Sequence, residues 1–138
     1  MAAETLVPVD AELAVITELR ARLVTLGLTG VAVGTKIPNP IKAEFVRVYR
    51  TGGVSPDITS DAVSLTVEAY AETAARAERI CAFSVAAMQA AGRDGSVGST
   101  PCRRVQLFSL PANLPDPKVD GRYRYSSLIS VVLRRTAV

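Results

Sequence analysis

The hydrophobic period of the chain changes abruptly around Ala71, and that change limits the folds open to it. Before it, Val63, Leu65, Val67 and Ala69 alternate with Ser64, Thr66, Glu68 and Tyr70. A two-residue period puts the first set on one face of a strand over Ala62–Tyr70 and the second set on the other. After it, Ala77, Ile80, Cys81, Ser84, Val85 and Met88 recur at spacings of three and four. Those positions form one stripe of a helix from about Glu72 to Ala91, with Arg76, Arg79 and Gln89 on polar positions. Gly92 is placed to cap its C-terminus.

The same two periods sort the rest of the chain. Leu13, Ile16, Leu19, Leu23 and Leu26 share a helical face within Asp10–Leu26. Asp10 suits the N-cap, Glu12 favours the first turn, and Gly27 and Gly30 end the helix. Val31–Ile37 reads as a short strand stopped by Pro38-Asn39-Pro40, and Glu44–Thr51 as a strand broken at Gly52-Gly53. Gly52–Asp61 reads as a long hairpin loop, Arg93–Pro101 as a Gly/Ser loop and Pro111–Gly121 as a proline-rich loop. Arg103–Leu110 and Arg122–Arg135 complete the strands. The order α-β-β-β-α-β-β has strands in runs, which predicts an α+β fold. Its sheet is expected to be mainly antiparallel, with both amphipathic helices packed on one face. No repeat and no compositional shift divides the chain, so residues 1–138 are expected to form a single domain.

Apolar residues make up 49% of the sequence, which excludes a disordered chain. Aromatic residues make up only 5%, so the core must be built from small and branched side chains, and burial in an oligomer would add to it. The net charge is +3, and no run of five like charges occurs. The densest basic spots are Arg103-Arg104 and Arg134-Arg135, and the plain reading is a solvated, mixed surface. Cys81 falls on a helical stripe and Cys102 at a strand start, which predicts two buried free thiols and assembly in a reducing compartment. The first ten residues lack a basic segment followed by an apolar core, so no secretory signal is expected. Leu128–Leu133, interrupted by Ser130, falls far short of the ~20 residues that span a bilayer, so a soluble protein without a membrane partner is expected.

The sequence contains no histidine. That removes Ser-His-Asp and Cys-His catalysis and most zinc sites. The carboxylates are scattered: Glu4, Asp10 and Glu12 lie at the start, and Asp57 and Asp61 flank one loop as turn and cap residues. The segment Gly92–Thr100 superficially suggests a phosphate cradle. A helix precedes it, no lysine adjoins its Ser/Thr, and Pro101 and a strand follow, so it reads as a connector. The expectation is no enzyme, no cofactor and no metal. What remains are two long loops and the strand edges beside them, which suit contact with other proteins.

Ile37-Pro38-Asn39-Pro40, followed by Glu44-Phe45-Val46-Arg47-Val48-Tyr49-Arg50-Thr51-Gly52-Gly53, resembles the P-N-P…F-V-R-V-x-R-x-G-G stretch of tail terminator proteins from long-tailed (siphovirus-type) bacteriophages of actinobacteria. Ile58-Thr59-Ser60-Asp61 and Val67-Glu68-Ala69-Tyr70-Ala71 follow in the family's order. Pro111-Ala112-Asn113-Leu114-Pro115-Asp116-Pro117 and Arg122-Tyr123 resemble its G-P-x-x-L-P-D-P…P-R-Y loop and last strand. Ser109-Leu110 departs from it where a glycine is common, which bears on the local turn. The resemblance covers nearly the whole chain through the order and spacing of its motifs. It implies a sheet packed on helices and a virion protein assembled in the host cytoplasm. It also implies a ring, usually hexameric, at the head-proximal end of the tail tube. Such a ring stops polymerisation of the tail tube protein and meets the head-neck stopper or connector protein. DNA passes through the lumen without sequence-specific binding. On this reading, Arg50 and Asp57 of the first loop are polar contacts to the tube or a neighbouring subunit. In the second loop, Pro111–Gly121, Leu114 is an apolar anchor and Asp116 an ion-pair partner for the contacting protein. The rival readings are another neck component (a head completion or connector protein), a tail-tube subunit and, from the pI near 9.1, a small nucleic-acid-binding module.

Overall fold

The computed structural model describes residues 2–138. Asp10 caps helix α1 (Ala11–Thr25) by accepting from the Leu13 N–H at 3.1 Å, and Gly27, at φ +87°, turns the chain away after it. The buried side of α1 is Ala11, Ala14, Val15, Ile16, Leu19 and Leu23. Leu13 and Leu26, expected on that face, are 59% and 47% exposed. The buried row runs 11, 15, 19, 23; Leu13 lies about half a turn from Ala11, and Leu26 sits beyond the last helical residue.

Short strand β1 (Leu6–Val7) precedes α1, and β2 (Ala32–Gly34) follows it. β3 (Phe45–Val54) and β4 (Ser60–Ala71) form a long antiparallel hairpin. The segment expected as a ten-residue loop is therefore mostly strand, and only residues 55–59 turn. Gly52 and Gly53, at φ +140° and +146°, sit in the ladder beside a bulge at Arg50/Gly52 and do not end it. The Gly53 position has no room for a Cβ, which would lie 2.4 Å from the Ala62 carbonyl oxygen.

Helix α2 (Ala74–Asp94) is capped by Thr73 at one end and by Gly95, at φ +90°, at the other. Gly92 is inside the helix and is not its cap. A Cβ there would lie 2.9 Å from that of Val105, so glycine allows a strand to pack directly on the helix. The expected stripe Ala77, Ile80, Cys81, Ser84, Val85 and Met88 is buried in full. A tight hairpin of β5 (Ser96–Val97) and β6 (Thr100–Asn113) leads through residues 114–122 to β7 (Tyr123–Arg134). β8 (Thr136–Ala137) pairs with β1 and ties the two ends of the chain together, a pairing too short to be anticipated from periodicity.

The main sheet has the order β2-β3-β4-β7-β6-β5 and is antiparallel apart from the β2–β3 pair. Both helices cover one face. Val46, Val48, Val63, Leu65, Val67, Ala69, Ile129, Val131 and Leu133 meet Leu19, Leu23, Ile80 and Met88 in one core. The two-residue period correctly divides β4, but its second face is not simply exposed. Glu68 and Tyr70 are 2% and 0% exposed, because Phe45 stacks on Tyr70 at 4.5 Å and Val119 joins them from the 114–122 segment.

Candidate assembly surfaces

The register places Asp57 at one end of the long strands and Leu114 and Asp116 at the other, whereas Arg50, opposite Leu65, lies near mid-strand. Residues 55–59 lie where Ser60 opposes Arg134, the last residue of β7. Residues 114–122 lie where Ala71 opposes Tyr123, its first. The structure does not bring the four into one site.

At the hairpin end, Asp57 organises the turn. Its Oδ1 accepts from the Thr59 and Ser60 N–H groups, both at 2.9 Å, and from their hydroxyls at 2.7 and 3.0 Å. The Thr59 hydroxyl, then its N–H and the Ser60 hydroxyl, pull the Asp57 carboxyl down from 3.8 to about 2. Its Oδ2 makes only a loose, exposed contact of 3.7 Å with Arg103. Arg50 is exposed, and its backbone N–H donates to Glu12 at 2.9 Å. Asp61 receives Arg135 through three contacts, of 2.7, 3.0 and 3.2 Å. Val54 and Ile58 project from this end, 71% and 77% exposed.

Because the Asp57 pKa is depressed on folding, its contribution is complete above the unfolded value near 3.8 and is lost as pH falls toward 2. Asp57→Asn is expected to flatten the fall in Tm between about pH 5 and pH 2, relative to wild type, in a pH series of thermal melts. Equal slopes for the two proteins would deny Asp57 this role.

At the other end, the 114–122 segment is clamped to the sheet. Arg124 Nη1 lies 2.8 Å from Glu68 Oε2 and 3.7 Å from Asp116 Oδ2, and its Nε donates to the Leu114 carbonyl. Arg47 Nη1 approaches Glu68 Oε1 at 3.5 Å. The Tyr70 hydroxyl lies 3.2 Å from Glu68 and 3.1 Å from Asp116. Its one proton serves one carboxylate at a time, and Arg124 compensates the other. Burial first, and then the Glu68 charge, push Tyr70 up to about 12, so it stays protonated. Asp116 also accepts from the Lys118 N–H at 3.0 Å, which is the largest influence holding its carboxyl below the usual range. Asp116 is thus engaged inside its own subunit, whereas Leu114 is 50% exposed, with Leu110 at 73% and Phe108 at 51% on the preceding strand.

Glu68 is sealed beneath its arginines, and burial pushes the Cys81 thiol up to about 12 and raises Cys102. Among the described residues, no group of three or more His, Cys, Asp or Glu side chains gathers as a metal site, and no helix is long and apolar enough to cross a membrane. The edge of β6 beyond Pro101 is unpaired, but three register shifts and Pro111 break its row of donors, which disfavours strand addition there. The sequence marked Glu68 as facing away from the core, but nothing in its spacing pointed to Arg47 and Arg124 as its partners.

No family model matches the chain, and no curated protein matches it. Among solved structures, its fold is similar to that of a chain in the virion of the native gene transfer agent (GTA) particle. The TM-score is 0.60 at 18% identity, and the match covers 90% of this chain and 94% of that one. What the two chains share is the fold.

Proposed function

We propose that this chain is a structural protein of a virion, and within it a tail terminator. The observation that carries the virion reading is the likeness to a GTA virion chain over nearly the full length of both. The motif order from Pro38 to Tyr123 supports the finer role. In this reading, residues 1–138 act as one tail-terminator-like domain, and copies form a ring, hexameric as in the family. The ring ends the tail tube on its head-proximal side and receives the head-neck connector. A cyclic ring joins unlike patches of neighbouring subunits, and a joining ring meets different partners at its two faces. Two sheet ends of different chemistry suit that role: Val54 and Ile58 at one, with Arg50 on the strand that leads to it, and Leu110 and Leu114 at the other.

Electron microscopy of particles assembled without this gene tests the role. Overlong tail tubes and tailless heads are expected. Tails of normal length left unattached would identify a head-joining protein instead and overturn the terminator reading.

A further inference from the structure

The two densest basic dipeptides of the sequence meet in the fold. Cys102 opposes Leu133 and Arg104 opposes Val132, so Arg103-Arg104 at the start of β6 lies beside Arg134-Arg135 at the end of β7. Leu133, Val131 and Ile129 face the helices. Val132 therefore faces the other way, and Arg104 opposite it and Arg134 two residues on share the face that no helix covers. Ser60 opposes Arg134, and Gln106 opposes Ser130 on the same face.

The carboxylates nearby do not neutralise this corner. Asp61 is saturated by Arg135, and Asp57 is occupied by its own turn, touching Arg103 only loosely. Glu68, farther along the same face, is sealed by Arg124 and Arg47. Among the described residues, Arg104 and Arg134 enter no ion pair. A groove of about 380 Å³ at this corner is lined by Thr59, Ser60, Arg103, Val132 and Arg134 among others. Guanidinium groups match phosphate oxygens, which take paired N–H donors from arginine, while the Thr59 and Ser60 hydroxyls beside them are held by Asp57.

We propose that this corner of the uncovered sheet face is a contact surface for the phosphate backbone of double-stranded DNA, without base readout. The proposal rests on the terminator reading, in which DNA passes through the ring. An acidic protein is the competing occupant, because Val54 and Ile58 lie at the same end. The surroundings of Arg104 and Arg134 favour DNA: both guanidinium groups are exposed and free of carboxylate partners, and Gln106 continues the same face without a broad apolar area.

The test is fluorescence anisotropy of the purified full chain with a labelled duplex of about 20 base pairs across a salt series. Binding at low salt is expected, with a log-log salt slope of about −2 to −3 for two or three phosphate contacts. Arg104→Glu/Arg134→Glu should weaken binding at least about tenfold and remove most of the slope. Lys36→Glu/Arg79→Glu changes the net charge equally on exposed residues elsewhere and should retain most of the binding. Circular dichroism establishes that both variants fold, and Arg104→Gln replaces the double variant if it does not. Absence of binding at about 20 mM salt, or equal loss in both double variants, overturns the proposal. Equal binding of polyglutamate overturns it in favour of an acidic protein partner. Overlong tails in particles lacking the gene, together with no DNA binding, would leave the terminator role standing and this surface refuted.

Discussion

Replacing Gly98 with alanine is expected to lower stability by about 3 kcal/mol, and Tm by roughly 10 °C. Gly98 and Ser99 are the two central residues of the β5–β6 turn, at φ +54° and +71°. Two positive φ values in a two-residue loop are the signature of a type I′ hairpin. The strain of a left-handed alanine alone is about 1 kcal/mol. The larger cost is collision. A Cβ at residue 98 would lie 2.5 Å from the Ala14 carbonyl oxygen and 2.9 Å from its Cα, which are backbone atoms of α1. That helix is held in place beneath the turn by the Glu18 carboxylate, which accepts from the Gly98 N–H at 2.9 Å and from Arg22 at 2.6 Å. Gly95→Ala is the control: φ there is +90°, but nothing lies within 4 Å of the added Cβ. It should cost only the strain of about 1 kcal/mol. Thermal or urea unfolding of the two variants measures the difference. Equal losses would mean that α1 yields freely and that the close approach is not a constraint.

That contact also marks where sequence reasoning stops. The period switch at Ala71, the helix stripe from Ala77 to Met88 and the Asp10 cap are local patterns, and each appears in the fold as the chain spells it. Gly98 and Gly92 looked like ordinary loop and cap glycines. Their function is to let a strand or turn touch a helix distant in sequence, and no local pattern carries that. Gly52 and Gly53 show the same limit: a glycine pair reads as a break, yet here it follows a bulge inside a ladder that pairs it with Ser64 and Val63. Pro111 reads as a loop start but is tolerated on an unpaired edge. Of the proposed contact residues, Leu114 is exposed as an anchor requires. Asp57 and Asp116 have local partners, Thr59 and Lys118, that an Asx-turn pattern in the sequence could have suggested. The meeting of Arg103-Arg104 with Arg134-Arg135 depends on strand order and register, which composition does not encode.

Removal of the Arg124 guanidinium should have an effect of similar size by a different route. Arg124→Met keeps much of the stem, but leaves Glu68, 2% exposed, without its nearest cation. Stripping one partner from a buried pair costs about 3–5 kcal/mol, because the remaining charge stays out of water uncompensated. Arg47 at 3.5 Å and the Tyr70 hydroxyl at 3.2 Å still reach Glu68, so a loss near the lower bound, about 3 kcal/mol, is expected. The loss should not be confined to β7. Arg124 also holds the Leu114 and Pro115 carbonyls and approaches Asp116, so the 114–122 segment loses its clamp and Val119 its seat on Phe45 and Tyr70. Faster amide exchange at Leu114 and Val119, whose N–H groups bond to the Arg124 and Asp116 carbonyls, would report that release. The double substitution Glu68→Leu/Arg124→Met separates charge from packing. If the cost of the single change is the stranded carboxylate, the double variant should recover most of the stability, with a coupling of about 1–3 kcal/mol. If both variants are equally unstable, Arg124 acts through the carbonyls of the segment, and the Glu68 pair contributes little.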